Sequence, residues 1–117
     1  MTASLSDLRE ALPDYAKDIK LNLSTLAGEE TLTPQQLWGC FLSCALATRQ
    51  QDVITAISAD TATHLSPEAQ TAACAAAAIM AMNNIYYRFQ HLVEKDRYRE
   101  IPARLRMQTL RTHGADA

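Results

Sequence analysis

Glycine and proline are scarce in this chain, and no segment looks like a β-strand. The 117 residues include three glycines and four prolines, a composition that argues against disorder over most of the length. Polar and apolar residues do not alternate as they do in strands, and no glycine-rich turns divide the sequence. We therefore predict an all-α fold.

The sequence also lacks a long apolar run and a hydrophobic leader. Its alanine-rich stretch, residues 72–82, is uncharged, but a membrane span needs roughly 20 apolar residues. The opening residues are polar and helix-like. Three cysteines are an odd number, which does not fit the paired framework of a secreted protein. We expect a cytoplasmic protein that does not enter a membrane.

Residues that would hold a cofactor or a metal are not grouped. His64, His91 and His113 stand apart from one another and from the cysteines, without the spacing of metal ligands. There is no glycine-rich phosphate loop and no Ser/His/Asp arrangement. The sequence therefore predicts neither a metal site nor a bound cofactor.

Charge is distributed unevenly along the chain. Residues 1–87 contain four Lys/Arg and nine Asp/Glu, a net charge of -5, whereas residues 88–117 contain seven and four, a net charge of +3. The basic residues alternate with Glu94, Asp96 and Glu100 and form no clean stripe, so nucleic acid is not the expected partner. We interpret this end as a solvated segment or an oligomer contact.

Capping signals predict where the helices begin. Ser4 suits the N-cap of the first helix, and Thr33 and Ser66 are each followed by a proline that fits the first helical position. The third helix should run to about Thr48, a fourth over residues 52–61, and a long central helix to about residue 93. The residues predicted to face inward are Tyr15, Ile19, Leu23 and Leu26, then Leu37, Trp38, Phe41, Leu42 and Ala45, then Val53, Ile54 and Ile57.

The cysteines are candidates for thiol chemistry, although the pattern favours a packing role. Cys40 and Cys44 are four residues apart and share a helix face, but a bridge between them would strain the helix. We predict that both, like Cys74, are small buried hydrophobic residues. Met80, Met82 and the aromatic residues that follow them are predicted to pack in the core or between subunits.

Three segments carry a resemblance to a known family. They are residues 12–26 (LPDYAKDIKLNLSTL), residues 32–49 (LTPQQLWGCFLSCALATR) and residues 80–89 (MAMNNIYYRF). In order and almost without gaps, they resemble the amino-terminal half of the AhpD family of alkyl hydroperoxide reductases, within the carboxymuconolactone decarboxylase-like superfamily. The resemblance implies a helical domain over residues 1–107.

The resemblance also indicates where the family's chemistry lies. The family uses a Cys-x-x-Cys at a helix start, a histidine just after it and a glutamate one helix earlier, in a second half that resembles the first. The corresponding positions of this chain hold Gln36, Thr48 and Gln51, and none of them is a thiol or a titratable group. The resemblance therefore implies that this copy is structural.

The tail, residues 108–117, adds an expectation about length. Residues 108–116 (QTLRTHGAD) resemble the stretch that follows the family's Cys-x-x-Cys motif, although here they follow residues that resemble the end of the first half. The resemblance predicts that a segment of about forty residues, on the order of a helical hairpin, is missing between Met107 and Thr109, and that the intact protein is longer.

Two hypotheses for function follow. In the first, the chain belongs to an antioxidant enzyme that reduces peroxides or recycles the peroxiredoxin AhpC, with electrons from a lipoyl-bearing acyltransferase and with a trimeric assembly, as the resemblance implies. In the second, it is a non-catalytic helical domain for oligomerisation or binding.

Overall fold

The computed structural model of the chain describes residues 3–112, and every regular element among them is helical. The α-helices are α1 (Leu5–Ala11), α2 (Lys17–Ala27), α3 (Pro34–Thr48), α4 (Gln51–Thr61), α5 (Pro67–Leu92), α6 (Asp96–Glu100) and α7 (Thr109–Thr112), with a 3₁₀ turn over Asp14–Ala16 before α2. The predicted all-α class is confirmed. None of these helices is long and apolar enough to cross a membrane.

The predicted caps are present at the helix starts. Ser4 accepts a hydrogen bond from the Asp7 backbone N–H at 3.2 Å, and Ser66 accepts one from Ala69 at 3.1 Å. Thr33 and Gln36 form a reciprocal capping box. Each cap satisfies backbone donors that the first helical turn leaves without partners.

The core forms where α3 packs against α4 and the first half of α5. Leu42 is buried with Ala69 and Ala73 of α5, and Ala45 is buried with Ile57 of α4. Small residues on α5 allow close approach, and the Ser43 hydroxyl donates to the Ala73 carbonyl across the helix pair at 3.1 Å. The inward positions predicted for α3 and α4 are therefore confirmed, except that Ile54 is only half-buried and lies outside both core clusters.

The amino-terminal helix is tied to α4 by one carboxylate. Asp60 accepts a hydrogen bond from the Leu5 backbone N–H at 2.7 Å, and Leu5 is buried in the core. An ion pair between Lys20 and Glu10, at 3.0 Å, joins α2 to α1. Polar contacts that are distant in sequence thus fix α1, which is too short to be stable alone.

The second half of α5 extends away from this core. The helix continues unbroken through the Asn83–Asn84 pair, and the Asn83 side-chain amide donates a hydrogen bond to the Met107 sulfur at 3.3 Å. The radius of gyration is 17.0 Å, compared with about 13 Å for a compact chain of this length. The molecule is therefore extended rather than closed around a single core.

Several residues predicted to be buried are exposed instead. Tyr15 is 93% exposed, and Ile19 and Leu26 of α2 are also exposed, so that prediction was wrong for this face of α2. Leu23 of the same helix does pack against the core. Met80 is exposed as well. Helical spacing identified one apolar face in each case, but in the described chain no helix covers that face.

Candidate functional site

The junction between α3 and α4 holds two of the positions to which the resemblance assigns chemistry. Thr48 is the last residue of α3, and Gln51 is the first residue of α4. Between them, Arg49 adopts a left-handed conformation with φ 58°. This backbone reversal ends α3, and α4 starts two residues later, so the junction is a short turn.

The two side chains are used for hydrogen bonds inside the junction. The Thr48 hydroxyl donates to the Ala45 carbonyl at 2.6 Å and accepts from the Gln50 backbone N–H at 3.2 Å. The Gln51 amide donates to the Thr55 hydroxyl at 3.1 Å. Neither group can act as a nucleophile of the thiol type. What the junction supplies is a helix connection.

Gln36, the third position, lies at the other end of α3. Its side-chain oxygen accepts a hydrogen bond from the Thr33 backbone N–H at 3.0 Å, so its role is to complete the capping box. Twelve residues of helix separate it from Thr48, which is about 18 Å at 1.5 Å per residue. The described chain therefore does not bring the two positions together.

The three cysteines are all exposed, and the prediction that they are buried was wrong. Cys40 and Cys44 lie on the outer side of α3, and Cys74 lies on α5 outside its contact with α3. The error has a physical cause, since small apolar residues are usually buried only where a second element covers them. None of the three lies in the first turn of its helix, where the helix dipole stabilises a thiolate.

His64 is the histidine with a defined contact. It follows α4 in the connection to α5, and its ring stacks parallel on Trp38 with the centroids 4.5 Å apart and the planes 1° from parallel. Phe41 packs on the same indole at 5.3 Å. The sequence did not predict this stack, because the two rings are distant in sequence. His113 lies outside the described residues.

No cluster of three or more metal-ligating side chains occurs within residues 3–112. One carboxyl has a shifted pKa: the Thr31 backbone N–H donates to Glu29 at 2.8 Å, and this hydrogen bond lowers the pKa of Glu29 below its ordinary value. Glu29 lies in the connection between α2 and α3, and the hydrogen bond is made within that turn.

Comparison with known proteins gives a consistent picture. No family model matches the chain. Alkyl hydroperoxide reductase AhpD of Gluconacetobacter diazotrophicus is 58% identical over 113 residues, which are 97% of this chain and 62% of that protein. The AhpD of Acidobacterium capsulatum is 54% identical over 96% of this chain and 62% of its own length. That of Brucella suis is 50% identical over 97% of the chain and 65% of its own length.

The chain spans less than two thirds of the length of these curated relatives. The alignments with these relatives cover 97% of the chain at 50–58% identity, and they therefore include α3 and α4 on either side of the junction. This agrees with the resemblance of the three segments and with the all-helical fold. Over 97% of its length, the chain is similar to proteins named alkyl hydroperoxide reductase AhpD.

Proposed function

We propose that this chain is the helical scaffold of an AhpD-type antioxidant protein. The observation that carries the proposal is the 58% identity to a protein named alkyl hydroperoxide reductase, over 97% of the chain. On this proposal, the protein reduces alkyl hydroperoxides or recycles a peroxiredoxin through a dithiol. Residues 1–107 supply the fold and the assembly surface.

The reactive thiol pair, on this proposal, lies outside residues 1–107. Support comes from the roles of Gln36, Thr48 and Gln51, whose side chains make the capping and junction hydrogen bonds described above. A peroxide-reducing dithiol needs a thiolate nucleophile and a second cysteine that resolves the sulfenic acid as a disulfide. Cys40 and Cys44, four residues apart on one regular helix, do not suit that pairing.

The partners proposed for the whole protein are the peroxiredoxin AhpC and a lipoyl-bearing acyltransferase that supplies electrons. We also propose a cytoplasmic location and assembly as a homo-oligomer, trimeric in the longer protein as the resemblance implies. The exposed apolar side chains of α2 and α5 are available for contact with the rest of the longer protein or with other copies.

The second candidate function is a non-catalytic domain for oligomerisation or binding. The same exposed apolar faces favour it, together with the use of Thr48 and Gln51 for structure. The two candidates make different predictions for a fusion of this chain to the remaining part of a relative. As a scaffold the chain must support peroxide reduction in the fusion, whereas a non-catalytic domain need not.

A chimera tests the scaffold directly. The 113 matching residues of the Gluconacetobacter diazotrophicus protein are replaced by those of this chain, and hydroperoxide consumption is measured with dihydrolipoamide as the reductant. We expect the chimera to consume hydroperoxide at a rate within about tenfold of that protein, a change of about 1.4 kcal/mol in the barrier. A folded but inactive chimera would favour the non-catalytic domain.

The 117-residue chain alone is the matching control. It should consume no more hydroperoxide than its Cys40→Ser, Cys44→Ser, Cys74→Ser variant, even though its exposed thiols react with maleimide. Turnover by the chain alone that disappears in the triple variant would show a local redox site, and the scaffold proposal would then be wrong.

A further inference from the structure

We draw no further inference here: the strongest candidate, the exposed apolar face on the second half of α5 that carries Ile85, Phe89 and Leu92, belongs to a chain that spans less than two thirds of the length of its relatives, and nothing in the structure shows what covers it.

Discussion

The two halves of α5 are parts of one continuous helix, yet they differ in almost every packing property. The first half buries Ala69 and Ala73 against Leu42 of α3. The second half carries Ile85 and Leu92 in exposed positions. Ile85 and Leu92 are larger and more hydrophobic than Ala69 and Ala73, so the hydrophobicity of these side chains did not decide which of them are buried. The contact with α3, which covers Ala69 and Ala73, decided it.

The largest expected difference in unfolding free energy is between two truncated variants, one at the contact of α3 with the first half of α5 and one in the second half of α5. Leu42→Ala removes a side chain that is buried against the first half of α5 and should lower the free energy of unfolding by about 2–5 kcal/mol. Ile85→Ala truncates an exposed side chain and should change it by less than about 0.5 kcal/mol. Urea unfolding followed by circular dichroism, at protein concentrations low enough for single chains, measures both values.

Similar losses for the two variants would break the contrast, because they would mean that Ile85 is buried within the single chain.

Enlarging alanines on the same helix sharpens the comparison. Ala73→Leu forces a larger side chain into the contact with α3 and should cost about 1–3 kcal/mol of unfolding free energy. Ala81→Leu places the same extra atoms on the exposed side of α5, so the single chain should be no less stable. The two variants differ only in position along one helix, and thermal unfolding of dilute protein compares them directly. If Ala81→Leu lowered the free energy of unfolding as much as Ala73→Leu does, Ala81 would not lie on an exposed side of α5.

The two ends of α5 provide a smaller test. Ser66→Ala removes the N-cap oxygen that the Ala69 N–H uses and should cost about 1 kcal/mol. Glu94, which follows the helix with φ 51°, is in a conformation that glycine adopts without steric cost, so Glu94→Gly should not destabilise the chain. The unfolding midpoints of the two variants should therefore move differently, and equal losses would mean that the far end is held by contacts of Glu94.

The smallest effect concerns acid sensitivity of the turn before α3. The hydrogen bond from Thr31 lowers the pKa of Glu29 relative to the unfolded chain, so ionised Glu29 adds stability at neutral pH. That contribution is lost as the pH falls through the folded-state pKa. The unfolding midpoint of the wild-type chain should fall between neutral and acid solution. In the Glu29→Gln variant that fall should be slightly smaller. An equal fall in both proteins would mean that the Thr31 contact does not persist in solution.

Much of the fold followed from the sequence because local signals determine helix starts. Ser4, Thr33 and Ser66 predicted three N-caps that the structure contains. The inward side of α3 also followed from the spacing of its apolar residues. These features depend on neighbours within a few positions, and such neighbours can be read from the sequence.

The exposure of Tyr15, Ile19 and the three cysteines could not be predicted from the sequence in the same way. Periodicity shows that a helix has an apolar face, but it does not show whether another element reaches that face. The Trp38–His64 stack and the bond from Leu5 to Asp60 were missed because their partners are far apart in sequence. The assignment of Gln36, Thr48 and Gln51 came from the family resemblance, while the structure added their hydrogen bonds. The predicted break after Met107 stays a prediction.

The stack of His64 on Trp38 gives the chain a built-in optical reporter. Trp38 is the sole tryptophan, and it is in contact with the connection between α4 and α5 at the packed end of the molecule. Its emission follows the loosening of that end, whereas far-ultraviolet dichroism averages over every helical residue. A separation between the two melting curves would measure how independently the extended half of α5 loses its structure.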